Sequence, residues 1–285
     1  MKKLITIISL LFTAVATVQG QNESRHEFSA NLAAGISVIE CRSNWNNKNH
    51  AGVGFGGGLG YSYFFAPQWS ITTGVDFTRH SNQTAFDNIA LQYPIITPPG
   101  LLQDFYLNAD YSNYEETIEM LSINIPLMLQ FQTQTKHKFY IAAGGKIGFP
   151  LSAKYTANAE TVTTTGYSDF TAQTYKDMPI HGFSTYSGVN SSGKLDYRFI
   201  YALCAETGIK WDLGKRWSLY TGIYLNYGLN DIRKNKPDEE MIIYNAASPS
   251  DYRYNSSLQS QTRGNNIIND VYPISGGVKT KISFR

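Results

Sequence analysis

The sequence predicts an all-β protein: an eight-stranded antiparallel up-and-down transmembrane β-barrel with four long extracellular loops. Eight stretches alternate between apolar residues and polar or small residues, and this period of two is the pattern of a β-strand. The stretches are longer than the ~5–6 residues of an average globular strand and reach the ~9–11 residues with which a tilted strand crosses a bilayer. Short and long connections also alternate strictly, which in an up-and-down barrel places every long loop on one side.

The eight predicted strands follow one another without a helical segment between them. In each strand one face is apolar, and the other face carries glycine, serine, asparagine or charged residues. The clearest case is the seventh, in which Trp217, Leu219 and Ile223 share a face while Ser218, Gly222 and Asn226 lie on the other. In chain order the strands cover residues 28–38, 53–65, 69–77, 121–131, 139–151, 198–211, 217–229 and 272–284.

The connections predict the topology. Tight turns at residues 66–68, 133–136 and 213–215 join three pairs of strands, whereas residues 40–51, 81–113, 153–195 and 232–270 form long connections. Outer-membrane barrels have short periplasmic turns and long extracellular loops, so both chain termini are expected on the periplasmic side. Pro126 lies in the middle of the fourth strand and has no N–H for the ladder, so we expect a bulge there.

The N-terminus has the pattern of a secretory signal peptide. Lys2 and Lys3 precede an apolar run over residues 4–18, and small residues before Gln21 form a cleavage site after Gly20. The run is shorter than the ~20 residues of a spanning helix, which is the alternative interpretation. We therefore predict that residues 1–20 are a signal peptide and that residues 21–285 form the outer-membrane β-barrel domain.

Composition excludes several function classes. Charged residues make up 16% of the chain, against about a quarter in a typical soluble domain. The 24 basic and 22 acidic residues nearly balance, which argues against a nucleic-acid partner. Cys41 and Cys204 are too few for a disulfide framework or a four-cysteine zinc site, and they fall on strands that are not neighbours. No cofactor is expected.

Aromatic side chains gather on the apolar face where strands meet the short turns, and we predict that they form a girdle at the periplasmic interface. Tyr197, Tyr227 and Tyr272 could supply the opposite girdle. A soluble barrel is the alternative, with its apolar face turned inward as in lipocalins. The predicted girdle residues are Phe65, Trp69, Phe131, Phe139, Trp211, Trp217 and Phe284.

The polar face of the strands carries charged residues, which a membrane barrel would turn into its lumen. An eight-stranded barrel is just wide enough to be filled by its own side chains. Because unpaired charges there would be costly, we expect ion pairs that plug the lumen. The predicted charge plug consists of Asp76, Lys146, Glu206, Lys210 and Lys279.

Three short motifs carry a resemblance to a known family. Residues 121–127 read Leu-Ser-Ile-Asn-Ile-Pro-Leu, residues 139–145 read Phe-Tyr-Ile-Ala-Ala-Gly-Gly, and residues 227–232 read Tyr-Gly-Leu-Asn-Asp-Ile. They resemble strand motifs of the PorT-type branch of the general outer-membrane β-barrel family. The resemblance implies an eight-stranded barrel in the bacterial outer membrane, and the PorT-type branch is linked to secretion. Most of the wider family has no defined activity.

Motifs for catalysis and metal binding are weak. Residues 52–57 match G-x-G-x-x-G but lie in an alternating strand with no helix after it, which excludes a dinucleotide site. His80 and Ser81 near the extracellular rim leave an outer-membrane hydrolase or acyltransferase open as an alternative. Residues 238–240 read Asp-Glu-Glu and could form a cation site, but a solvated surface loop is the preferred interpretation.

We therefore expect a non-enzymatic outer-membrane protein whose barrel is a scaffold for surface loops or an accessory of an envelope complex. Its partners would be the outer-membrane lipid bilayer and, through the long loops, other envelope proteins or extracellular ligands. A narrow channel is the alternative, and an outer-membrane enzyme is the third choice. Tyrosines among small polar residues suggest a recognition surface on the loops. The alternative interpretation is that the loops are mobile and that their sequence is not selected for binding. They are Tyr155, Tyr167, Tyr175, Tyr186, Tyr244, Tyr252 and Tyr254.

Overall fold

The computed structural model describes residues 25–97, 104–135, 137–234 and 238–285. The predicted signal peptide lies outside the described residues. No helix in these ranges is long and apolar enough to cross a membrane. The described strands are β1 (His26–Ser43), β2 (Asn47–Ala66), β3 (Trp69–Ile96), β4 (Phe105–Gln132), β5 (Lys138–Ser168), β6 (Gln173–Tyr175), β7 (Thr185–Lys194), β8 (Ile200–Asp212), β9 (Trp217–Gly228), β10 (Glu239–Glu240), β11 (Ile242–Ile243), β12 (Arg253–Tyr254), β13 (Ser260–Thr262), β14 (Asn265–Asn266) and β15 (Ile268–Phe284), with one 3-10 turn at Pro179–His181.

Eight long strands close into a ring. In order around the barrel they are β1, β2, β3, β4, β5, β8, β9 and β15, and β15 pairs with β1 to complete the circle. Every pair in the ring is antiparallel. A closed ring has no unpaired edge, which is what allows strands to cross a bilayer. The fold predicted from the sequence is confirmed.

The outer surface of the ring is apolar over the predicted membrane span. Large side chains such as Leu32, Leu127 and Leu203 point outward and are exposed. Between them the strands turn Ser62, Asn124 and Gln130 inward, and all three are buried. A soluble barrel would have the opposite arrangement, because an exposed apolar belt of this extent would be unstable in water. The alternative of a soluble barrel is therefore excluded.

Three strands continue well beyond this belt, and their polarity then inverts. On β4 the outward side chains are apolar up to Leu121 and polar from Glu119 outward, while Ile118 and Met120 are buried inside. β3 and β5 change in the same way, so together with β7, which pairs with β5, they form an extracellular wall. The outward face of each of these strands thus contacts lipid along the membrane-spanning part and water along the extracellular part.

Much of the sequence predicted as long loops belongs to these strands. Only residues 44–46 separate β1 from β2, where a connection over residues 40–51 was expected. Most of the 81–113 connection is a continued β3–β4 hairpin, and β7 folds back on β5 within the 153–195 connection. A hairpin gives every segment a partner for its backbone N–H and C=O groups, which an irregular loop of the same length would leave to water.

The bulge expected at Pro126 is absent, and that prediction is wrong. Pairing between β3 and β4 stops at Thr73 and Leu127 and resumes at Asp76 and Asn124 in the same register. The Thr73 hydroxyl donates a hydrogen bond to the Pro126 carbonyl oxygen at 2.8 Å. The ladder therefore tolerates the missing N–H by skipping two residue pairs rather than by inserting a residue.

A charge on the belt should be costly only where lipid surrounds it. Ile223 is 59% exposed midway along β9, and Leu213 is 58% exposed in the turn between β8 and β9. Ile223→Arg should destabilise the folded barrel in phospholipid vesicles by about 2–4 kcal/mol. Leu213→Arg is the matched control and should change stability little. Equal losses for the two variants in urea-unfolding titrations would contradict the lipid-facing assignment of β9.

Candidate functional site: the lumen and the extracellular cap

An ion pair lies at the periplasmic end of the lumen. Lys210 Nζ on β8 lies 2.6 Å from Glu27 Oε2 on β1, and each side chain is only 1% exposed. The Tyr220 hydroxyl donates to the other carboxylate oxygen at 2.5 Å, and Lys281 Nζ lies 4.0 Å from the centre of the Tyr220 ring. Phe64 packs under this group, with Lys210 Nζ 5.3 Å from its ring centre. Two lysines, one carboxylate and two aromatic rings are therefore packed together at this end.

A second ion pair lies farther along the lumen. Lys279 Nζ on β15 is 2.5 Å from Glu206 Oε1 on β8, and both are largely buried. Asp76 is not in an ion pair among the described residues, but it accepts a hydrogen bond from Asn31 Nδ2 at 2.9 Å. A Cβ at Gly58 would collide with the Asp76 carboxylate, so glycine at this position leaves room for the charge.

The structure brings the predicted plug residues into the lumen but pairs them in part with other groups. Glu206 contacts Lys279, whereas Lys210 contacts Glu27, which lies one residue before the predicted start of the first strand. Lys281 was also missed, although it alternates with the outward Ile282 just as Lys279 does. Removing one partner of such a buried pair typically costs about 3–5 kcal/mol, because the other charge stays buried alone.

His80 does not form the catalytic group that its position near the rim suggested. Its ring is buried inside the barrel, where Nδ1 lies 2.7 Å from the Ser37 hydroxyl. Ser81 is the next residue and lies on the opposite face of β3. Among the described residues, the charged side chain that acts electrostatically on the His80 ring is the cation Lys146. A serine–histidine nucleophile instead needs a carboxylate that orients the imidazole.

The connection from β9 to β15 folds over the extracellular mouth of the barrel. We call residues 238–267 the cap. Its apolar side chains pack against the inner face of the extracellular wall, in one core that continues down to Ile39 and Cys41 on β1. The fully buried apolar residues of the cap are Met241, Ile242, Leu258 and Ile267, and those of the wall include Phe86, Ile89, Phe105, Leu107 and Ile118.

Hydrogen bonds fix the cap to the wall at several heights. The Met241 N–H donates to the Tyr93 hydroxyl at 3.0 Å. The Thr262 hydroxyl donates to the Gln92 carbonyl at 2.8 Å, and the Ser191 hydroxyl on β7 donates to the Tyr254 carbonyl at 2.6 Å. Because these bonds come from both β3 and β7, they hold the cap across the whole width of the wall.

Glu116 is a buried acidic residue that links β4 to the cap. Its carboxylate is fully buried on β4 and accepts hydrogen bonds from the Tyr114 hydroxyl at 2.7 Å, the Ser257 hydroxyl at 2.6 Å and the Ser257 N–H at 3.0 Å. The Ser256 hydroxyl contacts its other oxygen. Burial raises the pKa of Glu116, although these donors oppose the shift.

The tyrosines that suggested a recognition surface are mostly part of this core. Tyr155 and Tyr252 are buried, and the Tyr252 hydroxyl donates to the Gly182 carbonyl at 2.9 Å. Tyr175, Tyr186, Tyr244 and Tyr254 are partly buried against the same core. For these six tyrosines the expectation of an exposed recognition surface is wrong, whereas Tyr167 is half-buried and lies outside this core. Their rings fill the wide space inside the wall, where sequence composition alone suggested a solvent-exposed loop.

The aromatic residues predicted for the girdle lie on the outer face of the barrel. Rings contact one another across strands, with Trp69 5.0 Å from Phe131 and Trp217 5.1 Å from Phe284 between centres. At the other end of the belt, Phe149 and Phe199 form an edge-to-face pair at 5.2 Å. Tyr197 is not with them, because its side chain packs against the cap core.

Arg233, which lies just before the cap, has structural partners. Arg233 Nη2 lies 2.9 Å from Asp231 Oδ2, and Arg233 Nη1 donates to the Ile268 carbonyl at 2.6 Å. In the described part of the chain, no cluster of histidine, cysteine, aspartate and glutamate has the geometry of a metal site, and the acidic run at residues 238–240 is no exception. Cys41 and Cys204 are free thiols.

Glu116 should make the stability of the cap depend on pH. A carboxyl group whose pKa is higher in the folded state than in the unfolded state stabilises the fold below its ordinary pKa near 4.5, and this contribution is lost as pH rises through the folded value. Hydrogen-exchange protection of residues 256–260 should therefore fall as the pH rises above about 4.5. In Glu116→Gln, the matched uncharged variant, protection should not change with pH, and a pH dependence equal to that of the wild type would exclude Glu116 as its cause.

Comparison with known proteins identifies the family to which the chain belongs. It matches the family described as outer membrane protein beta-barrel domain over residues 19–234. One similar solved structure is Neisserial surface protein A, with 14% identity, coverage of 92% of this chain and 97% of that chain, and a TM-score of 0.36. A second is OprG from Pseudomonas aeruginosa, with 12% identity, coverage of 91% of this chain and 98% of that chain, and a TM-score of 0.34. A third is Ail, the attachment invasion locus protein of Yersinia pestis, in complex with the heparin analogue sucrose octasulfate, with 13% identity, coverage of 92% of this chain and 100% of that chain, and a TM-score of 0.31. No curated protein matches the chain. The chain belongs to the outer membrane protein beta-barrel domain family, and its location is the bacterial outer membrane.

Proposed function

We propose that the protein is a non-enzymatic scaffold of the outer membrane, which displays a folded extracellular unit instead of conducting solutes. The observation that carries this proposal is the cap, whose apolar side chains are fully buried in the mouth of the barrel. A segment kept only as a mobile gate would not need such a core, because loops that open readily are poor in buried apolar contacts.

The lumen supports the same conclusion from the other end. Tyr140, Tyr220 and Lys210 are fully buried side chains of the barrel interior. The Tyr140 and Tyr220 rings meet edge to face at 5.1 Å, close to the Glu27–Lys210 pair. In our proposal the lumen charges act as the plug expected from the sequence, and the outward aromatic residues act as the periplasmic girdle. Cap and plug would then block the path independently.

The tip of the β5–β7 hairpin is the part of the surface best suited to a partner. Phe170 is 89% exposed and Ile180 is 76% exposed, although both lie in an otherwise polar extracellular region. Exposed apolar side chains at the outermost point of a rigid structure are typical of protein contacts. The three motifs that resemble the PorT-type branch support the finer proposal that the partner belongs to an envelope or secretion complex.

The scaffold proposal predicts that the barrel does not conduct ions and that the tip of the β5–β7 hairpin is needed for function. Wild-type protein reconstituted in planar bilayers should add no stepwise current, with its insertion verified by heat-dependent migration on gels. In cells, Phe170→Ser together with Ile180→Ser should lose complementation of the deletion phenotype, while Leu213→Ser in the periplasmic turn, the matched control, should retain it. Regular single-channel steps from the wild type, absent after boiling, would instead establish the narrow channel. Full complementation by the tip variant would place function elsewhere.

A further inference from the structure

A groove of about 500 Å³ lies on the outer surface where the barrel leaves the membrane. Its size is in the range of small-ligand sites, roughly 300–1,000 Å³. Three neighbouring strands supply its outward side chains, and none of them takes part in the cap or the plug. These side chains are Thr117 and Glu119 on β4, Lys154 and Thr156 on β5, and Ser192 and Lys194 on β7.

The groove lies at the level of lipid headgroups. Leu121 and Leu151 are the outermost large apolar side chains of β4 and β5 on the lipid-facing surface. Glu119 is two residues beyond Leu121, which corresponds to about 7 Å along a strand. Lys154 lies directly opposite Glu119 in the ladder. The groove itself is lined mainly by polar and charged side chains. The apolar surface of Leu121 and Leu151 lies next to it, on the side toward the membrane.

The two lysines of the groove repel one another and have no internal counter-ion. Lys154 and Lys194 are directly opposite on β5 and β7, and like charges in this position destabilise a sheet. Glu119 is the adjacent acid, but it is already paired with Arg79 at 2.5 Å. Among the described residues, no carboxylate lies within ion-pair distance of either lysine.

We propose that this groove binds the phosphate groups of an outer-leaflet lipid. A phosphate between Lys154 and Lys194 would relieve their repulsion, and the hydroxyls of Thr117, Thr156 and Ser192 would donate hydrogen bonds to its oxygens. The acyl chains of the same lipid would lie against Leu121 and Leu151. A free phosphate ion would gain the charge contacts but not the apolar ones, so the lipid is the ligand that uses the whole site.

The test is an equilibrium titration of the detergent-solubilised full chain with three probes. They are lipid A with its phosphates, lipid A from which the phosphates have been removed, and inorganic phosphate. Lys154→Gln with Lys194→Gln should weaken binding of phosphorylated lipid A by roughly 30-fold, the product of about fivefold for each lysine near a charged surface. Lys154→Arg with Lys194→Arg keeps both charges and should bind as the wild type does.

The matched control removes the same charge elsewhere. Lys176→Gln with Lys215→Gln alters one lysine at the extracellular tip and one in a periplasmic turn, both exposed, and should leave the affinity unchanged. Equal weakening in the control and groove variants would show a general charge effect and overturn the site. Wild-type affinity that is the same with and without lipid phosphates would also overturn it. Tight binding of inorganic phosphate alone would replace the lipid with a free anion.

Discussion

Pairing of every backbone N–H and C=O group is the constraint on which the rest of this structure depends. Inside a bilayer no water is available for an unpaired group, so the eight strands must close into a ring. In a closed ring every strand has one outward and one inward face. The outward face must be apolar because it contacts lipid, and the inward face encloses a narrow lumen. The buried ion pairs Glu27–Lys210 and Glu206–Lys279 follow from that geometry, because charges turned into so small a space need partners.

The same pairing rule explains the extracellular part. β3, β4 and β5 continue as hairpins beyond the lipid, where water surrounds the outside of the sheet. The outward face is then polar and the inward face apolar, so the interior changes from an ion-paired lumen to an apolar core within a few residues of His80. The cap fills that core, and Glu116 is its buried polar contact with β4. A membrane barrel and a water-soluble sheet thus share the same strands.

Much of the membrane part could be predicted from the sequence, because one face of each strand must satisfy lipid over its whole length. The extracellular part could not, for two physical reasons. Polarity inverts near Arg79 and Glu119, and on β3 the inward positions shift from even to odd numbers between Phe86 and Ile89. Opposite that shift, Asn113 on β4 has a positive φ of 48°. A period-two pattern that changes both polarity and phase gives no continuous strand signal, so the sequence predicts long loops for these residues.

The central claim is that the cap closes the barrel, and a native thiol reports on it directly. Cys41 lies beneath the cap and is 1% exposed, and burial raises the pKa of its thiol to about 12. In a Cys204→Ser background, a membrane-impermeant maleimide added to intact cells should leave Cys41 unlabelled. It should label Cys41 once residues 239–266 are replaced by a short glycine–serine turn or the protein is unfolded. Labelling of the capped protein as fast as that of the unfolded chain would contradict the account.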